Sequence, residues 1–322
     1  MITTFSSGIA QDIDAMLDYR EALGYSRKTQ SSHLKSIDRF CAAIYPDAST
    51  LTKEIVLGWL EEQHSNIAPK AAAVRLLGNY MRAIGKDAYV LYDGYVTRSS
   101  KRSAYVFTDK ELAALFCAVD KTRATNKEPF LHEIAPVLYR LIYTCGLRPN
   151  EGRELKCENI NLMNGEILIT NTKWKKERLV VMSNDMLTLC QRYDKRREIF
   201  GRGSEYFFPA HESGGPLGQY QIGCYLRDAW KRANPKVDAS KLPAIRVYDL
   251  RHRFASACII RWLDSGKPIK SKLAYLRAYM GHNSLSDTAY YIHLLPENLV
   301  KSAGIDWAAF DELIPEVVVW QK

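Results

Sequence analysis

Paired cysteines are missing from this chain. Its seven cysteines (Cys41, Cys117, Cys145, Cys157, Cys190, Cys224 and Cys258) are an odd number, lie far apart, and include no Cys-x-x-Cys pair. Scattered through apolar segments such as Phe40-Cys41-Ala42-Ala43, they read as buried free thiols of a reducing compartment and exclude a disulfide scaffold. No apolar run approaches the ~18 residues that a membrane span needs, and the start of the chain lacks a signal peptide's basic residues and apolar core. The expectation is a soluble, cytoplasmic protein. Internal repeats and low-complexity tracts are also lacking. So are the Gly-rich and acidic motifs that a methylase or a metal-dependent nuclease would need, and no Asp/Glu/His cluster suggests a metal. The sequence therefore calls for no cofactor and no metal site.

What is present is length and positive charge. At 322 residues, two domains are the default expectation. Forty-five Lys and Arg against 36 Asp and Glu leave a formal net charge of +9. That excess favours a polyanionic partner, because each neutralised phosphate releases counterions. Ribosome-associated and membrane-surface proteins share such basicity, so charge alone does not choose among them.

The first hundred residues read as four short amphipathic helices. Ile9, Ile13, Met16 and Leu17 recur at helical spacing before Gly24. Leu34, Ile37, Phe40, Cys41 and Ile44 mark a second helix. Val56, Leu57, Trp59 and Leu60 mark a third, with Thr52 as its N-cap. A fourth carries Val74, Leu77, Tyr80, Met81 and Ile84, and Gly85 ends it. From about Asp93 to Tyr105 the periodicity gives way to small polar and basic residues, among them Arg98, Lys101 and Arg102. That segment reads as an exposed linker able to follow a phosphate backbone. Beyond it, Thr108 and Glu111 have capping-box spacing, and Ile134 to Tyr143 is a strongly apolar helix. Glu166–Thr170 and Arg178–Met182 form a hairpin pattern around a Lys-rich connection. Helical patterns continue to the end. The fold class is mainly α with a small β-sheet.

Four separated segments of the second region carry chemistry. In Thr144-Cys145-Gly146-Leu147-Arg148-Pro149-Asn150-Glu151, Gly146 ends one helix and Pro149 suits the first position of the next. Arg148 then stands at a helix N-terminus, where free N–H groups already favour an anion that a guanidinium can grip with two bonds. Glu151, one turn on, can orient it. A surface arginine beside a turn has the same local sequence. In Thr172-Lys173-Trp174-Lys175-Lys176-Glu177-Arg178, any lysine on the hairpin can enter a DNA groove as a movable proton donor, or be a solvated charge. In Val247-Tyr248-Asp249-Leu250-Arg251-His252-Arg253-Phe254, Asp249 reads as an N-cap. Leu250, Phe254, Ala257 and Cys258 read as the buried face, Arg251 falls in the first helical turn, and His252 reads as a structural histidine. Lastly, Gly281 closes a helix, His282 lies on the turn, and Ser284 with Asp287 can cap a helix holding Tyr290 and Tyr291. Adjacent helical residues point about 100° apart, so only one of those tyrosines can face a phosphate while the other belongs to the core.

Taken together and in this order, the four segments resemble the pattern of the tyrosine recombinases, the phage-integrase family, over about Val106 to His293. That family shows an Arg in T-G-L-R-x-x-E, a Lys in G-K-x-x-K-E-R, then H-x-x-R-H, then G-H and a Tyr nine residues later. Here the first box carries Arg148 and Glu151 with one inserted residue. The second places the lysine at Lys173, and Arg251-His252 and Gly281-His282 follow in register. Nine residues beyond His282 stands Tyr291, not Tyr290. One position departs: Tyr248 stands where the family has His or sometimes Lys. A tyrosine can donate a hydrogen bond there, but with an ordinary pKa of about 10 it is a poorer proton shuttle.

The resemblance implies a core-binding domain of four helices over 1–95, a basic linker over 96–105 and a mixed α/β catalytic domain over 106–293. Residues 294–322 would then be exchanged between protomers, or docked on their own domain through Trp307, Phe310, Leu313 and Ile314. It also implies a site-specific DNA strand transferase without metal or ATP. Arg148, Arg251, His282 and Tyr248 would hold the phosphate, Lys173 would protonate the leaving 5′ oxygen, and Tyr291 would form a 3′-phosphotyrosyl link. Implied partners are double-stranded DNA with paired sites, further copies of the chain as a dimer or tetramer, and an accessory directionality factor; the implied location is the nucleoid. Two rivals remain at this level: a type IB topoisomerase, and a non-catalytic DNA-binding protein of the same fold.

Overall fold

The computed structural model describes residues 5–96, 103–170, 177–201, 203–265 and 269–293. Most of the basic linker, the hairpin tip with Lys173, and the expected exchange segment 294–322 lie outside the described residues. The chain divides into two compact units, Met1–Arg102 and Ser103–Lys322.

The first unit contains helices α1 (Ala10–Ala22), α2 (Arg27–Ile44), α3 (Lys53–Glu61) and α4 (Ile67–Ala83). Their boundaries follow from local chemistry. The Thr52 hydroxyl accepts the Ile55 N–H at 3.2 Å, satisfying one of the four orphan donors of a helix start. Gly24 and Gly85, just past α1 and α4, have φ of +86°, a conformation that costs glycine little. Ile13, Leu17, Leu34, Ile37, Trp59 and Leu77 are fully buried in one core. Ile44 and Ile84, which the periodicity assigns to apolar faces, are instead half exposed at the C-terminal ends of α2 and α4. Asp38 is buried, and its carboxylate accepts the Ser6 and Ser7 N–H groups at 3.1 and 3.0 Å and the Ser7 hydroxyl at 2.7 Å. That acceptor ties the chain entering α1 to α2.

The second unit holds α5 (Asp109–Asp120), α6 (Leu131–Thr144), α7 (Pro149–Arg153), strands β1 (Ile160–Asn161), β2 (Glu166–Ile169) and β3 (Arg178–Val181), then α8 (Asn184–Phe200), α9 (Gln219–Ala233), α10 (Val247–Asp264), α11 (Ile269–Met280) and α12 (Leu285–His293). The capping box opens α5: the Glu111 N–H donates to the Thr108 hydroxyl at 3.3 Å, and the Thr108 N–H returns to Glu111 at 2.8 Å. The antiparallel sheet has order β1-β2-β3. It gains β1, two residues long, which the hairpin pattern did not reveal because two residues carry no periodicity. Ile167 pairs with Val180 and both are buried, while Leu168 pairs with Leu179 and both face outward, the period-two alternation of a sheet covered on one side.

Helix α10 corrects two expectations. It begins at Val247, so Asp249 is the third helical residue and not the N-cap; its carboxylate reaches back to the Arg246 N–H at 2.8 Å. Its buried side also differs. Arg251, Ala255 and Ile259 are fully buried, whereas Phe254, Ala257 and Cys258 are only partly covered. Leu250 is fully buried as the apolar pattern predicts, and Phe254 and Cys258 pack against the core from its edge; the pattern misses Arg251, which occupies the innermost position. Ala255, Ile259, Leu276, Met280 and Tyr291 form the small core that joins α10, α11 and α12.

Candidate active site

Arg148 and Glu151 are set by the turn between α6 and α7. Gly146 has φ of +60°, and a Cβ there would lie 2.5 Å from the Phe254 ring, so only glycine fits this bend. Arg148 is the N-cap residue of α7 and Pro149 its first residue. The Arg148 guanidinium donates to Glu151 at 2.7 Å and to the Gly281 carbonyl at 2.6 Å, and its N–H donates to the other Glu151 oxygen at 2.8 Å. The first turn of one helix is thereby bound to the turn that carries His282.

Arg178, at the start of β3, completes this join. Its guanidinium grips Glu151 with two bonds of 2.9 and 2.6 Å and donates to the Tyr279 carbonyl at 2.9 Å. Arg178 belongs to the second sequence motif without a task that local spacing assigns; its place two positions past the hairpin lysines is the available signal. Burial pushes the Glu151 carboxyl up, but Arg178 and Arg148 override it and hold the carboxyl down at about 2.

Arg251 is fully buried. It donates to the Gly146 carbonyl at 2.7 Å and the Met280 carbonyl at 2.6 Å, and it stands 3.0 Å from His282 Nε2 and 3.8 Å from Glu151. Burial disfavours its charge and lowers its pKa from the ordinary value. Three guanidinium groups thus converge on one carboxylate, leaving, among the described residues, an excess of two positive charges in a largely dry pocket. A buried charge without a full counter-charge is costly, and an anion entering here relieves that cost.

The partners of His282 fix its tautomer. A guanidinium can only donate, so Nε2 accepts from Arg251. Nδ1 carries the proton and donates to the Thr288 hydroxyl at 2.8 Å. Burial, followed by Arg251, Arg148 and Arg178, pushes the imidazole down to about 3, so it is neutral at pH 7. Thr288, fully buried one turn before Tyr291, was missed from sequence because a threonine in a helix carries no distinguishing signal.

Tyr291 lies between two histidines, its ring centroid 5.8 Å from His282 and 5.5 Å from His252. It is 2% exposed, against 39% for Tyr290, so the tyrosine expected to face a phosphate is the covered one and Tyr290, expected in the core, is the exposed one. Burial pushes the Tyr291 hydroxyl up to about 12, an effect that the nearby Arg251 only partly offsets. Tyr248 is half-buried, with its ring 4.9 Å from His252. Arg148, Glu151, Arg251, His282, Tyr291 and Tyr248 are therefore brought to one place; Lys173 lies outside the described residues. Such a constellation offers fixed cations to a phosphodiester and a phenol to attack it, with imidazoles alongside.

A family model described as the phage integrase family matches residues 106–298, more than half of the chain. The chain belongs to that family. It is a site-specific tyrosine recombinase, an enzyme that breaks and rejoins DNA. The recombinase is 27% identical over 305 residues to "Putative integrase/recombinase y4rE" of Sinorhizobium fredii, a match that spans 90% of this chain and 93% of the relative. It is 25% identical to the tyrosine recombinase XerC of Pediococcus pentosaceus over 86% of this chain and 91% of the relative. Among solved structures, its fold is similar to the XerH site-specific recombinase bound to a palindromic difH substrate (TM-score 0.60, 18% identity, 88% of this chain and 80% of that one). It is similar also to the Tn1549 transposon integrase in complex with a circular intermediate DNA (TM-score 0.59, 17% identity, 89% and 95%). These relatives are integrases and recombinases; the topoisomerase and the non-catalytic readings are not favoured. Among the described residues, no helix is long and apolar enough to cross a membrane.

Proposed function

We propose that Tyr291 is the nucleophile of this recombinase and that Arg148 and Arg251 clamp the scissile phosphate. The observation that carries this reading is the convergence of Arg148, Arg251, His282 and Tyr291, from three stretches of chain, on a pocket with excess positive charge. Attack of a phenol oxygen on a phosphodiester builds negative charge on five-coordinate phosphorus, and fixed cations in a dry site stabilise it. They do so without a metal ion, and exchange of one phosphodiester for a phosphotyrosyl ester conserves bond energy without ATP. When phosphate arrives, Arg251 transfers its donor from the Met280 carbonyl to the phosphate oxygens and keeps its bond to His282 Nε2. His282 holds Arg251 in place through that bond, with Tyr248 as a further donor and Lys173 protonating the departing 5′ oxygen. The 3′-phosphotyrosyl link is resolved by the 5′-hydroxyl of a partner strand.

The same reading gives residues 1–95 and the linker the task of clamping double-stranded DNA, with 106–293 as the catalytic domain. Residues 294–322 reach a neighbouring protomer of a dimer or tetramer assembled on paired sites. An accessory factor sets direction, and the protein works in the cytoplasm on the nucleoid. Support comes from the net charge of +9, the compactness of each unit, and the relatives described above.

The test is covalent trapping on a nicked suicide substrate. Wild type and Tyr290→Phe are expected to form a protein–DNA adduct, and Tyr291→Phe none. No adduct from wild type would sink the strand-transfer reading. An adduct that survives Tyr291→Phe and disappears in Tyr290→Phe would move the nucleophile.

A further inference from the structure

The nucleophile needs a proton acceptor, and the position that the family fills with histidine holds Tyr248. Two imidazoles flank Tyr291. Both nitrogens of His282 are committed, Nε2 to Arg251 and Nδ1 to Thr288. His252 is different. It is 9% exposed, and its buried Nδ1 has no hydrogen-bond partner among the described residues, although buried ring nitrogens are ordinarily satisfied. It stands one turn beyond Tyr248 on α10, so the two side chains share a helix face, with their rings 4.9 Å apart. On the other side its ring is 5.5 Å from that of Tyr291.

We propose that His252, and not Tyr248, is the general base that accepts the hydroxyl proton of Tyr291. This rests on the strand-transfer reading above. As the Tyr291 oxygen bonds to phosphorus, its proton passes to the free His252 nitrogen. The bond from phosphorus to the 5′ oxygen breaks, and that oxygen takes a proton from Lys173. In resealing, the incoming 5′-hydroxyl gives its proton back to Lys173, the Tyr291–phosphorus bond breaks, and the tyrosine oxygen recovers its proton from His252. Each half-reaction balances with no further reactant.

The surroundings suit a base. The charged and titratable groups facing His252 are Arg246, Arg251 and Tyr248 of its own helix, Tyr290 and Tyr291 of α12, and His282 on the turn before it. Burial, then Arg246 and Arg251, hold its imidazole down at about 4, so it is neutral and able to accept at pH 7. A phosphate anion bound between the arginines screens them and raises its basicity toward the useful range. The closing of the last gap to the hydroxyl belongs to the DNA complex, since such bonds commonly tighten only there.

Single-turnover cleavage of the suicide substrate tests this, with an ordinary phosphodiester and with a bridging 5′-phosphorothiolate, whose sulfur leaves without a proton. His252→Gln is expected to slow adduct formation roughly a hundred-fold or more, equally on both substrates, and more than Tyr248→Phe does. Fluorinated tyrosine at position 291, a more acidic phenol, is expected to recover most of the loss. A merely structural role for His252 would not produce that rescue. Should His252→Gln fail to fold, His252→Asn takes its place. Independently of either variant, the acid limb of the wild-type pH–rate profile must coincide with the titration of His252 followed by NMR in the DNA complex. The proposal is overturned if His252→Gln cleaves within about threefold of wild type, if the 5′-sulfur alone restores it, if fluorotyrosine gives no rescue, or if the acid limb follows another group. A wild type that forms no adduct overturns the strand-transfer reading itself, which is a distinct result.

Discussion

Replacing Glu151 by Gln removes one negative charge from beneath three guanidinium groups while keeping the side chain's shape. The carboxyl is held at about 2 against an ordinary 4.5, and its side chain is 9% exposed, so solvent screens the interaction little. A shift of that size corresponds to about 3 kcal/mol of native-state stabilisation at neutral pH. For a unit of this size the loss translates to roughly 6–12 °C in Tm. The pH dependence identifies the cause. The folded-state pKa is depressed, so the stabilisation is complete above the unfolded value near 4.5 and is lost as pH falls through about 2. The gap between wild type and Glu151→Gln should therefore shrink to roughly 1.4 kcal/mol at pH 3. Urea unfolding at pH 7 and pH 3, followed by hydrogen exchange in peptides of α6 and α10, measures both values. Equal stabilities at pH 7, or a deficit that stays constant down to pH 3, would refute the reasoning. Activity should fall as well, because Arg148 and Arg178 lose one of the two acceptor oxygens that aim them.

Three further outcomes follow from the geometry. Tyrosine nitration of the DNA-free protein, mapped by mass spectrometry, should modify Tyr290 and spare Tyr291, given their exposures of 39% and 2%; equal labelling would show that α12 opens without DNA. Thr288→Val removes the acceptor of the His282 Nδ1 proton and leaves a buried donor unsatisfied, at a cost of about 1–3 kcal/mol. Altered imidazole nitrogen shifts of His282 should accompany adduct formation slowed by roughly tenfold. Gly146→Ala forces a side chain into a left-handed conformation against Phe254 and should destabilise the catalytic unit by roughly 2–4 kcal/mol. A thermal melt unchanged from wild type would contradict the assigned backbone geometry.

What was legible in the sequence was local. The helix boundaries at Thr52, Gly24, Gly85 and Thr108, and the alternation of β2 and β3, each depend on residues within a turn or a pleat of one another, so spacing alone reveals them. The choice of Tyr291 over Tyr290 came from a fixed count of nine residues after His282. Arg148 at its helix start came from glycine and proline chemistry. The innermost position of α10 was not legible for the same reason that the helix boundaries were: a period records apolar residues, and that position holds Arg251.

Only the tertiary structure decided how the site is built. Arg148 meets the Gly281 carbonyl across 133 residues, Arg178 meets Tyr279 across 101, and Arg251 meets Gly146 across 105. No periodicity extends over such distances. The sequence by itself determined which residue types the chain carries to the site and in what order. The fold determined that three guanidinium groups share one carboxylate, that His282 is a neutral acceptor toward Arg251, and that Tyr291 is covered. It also left one imidazole, His252, without a hydrogen-bond partner at its buried Nδ1 among the described residues. Those properties arise from burial and from pairing between distant segments, which exist only once the chain has packed.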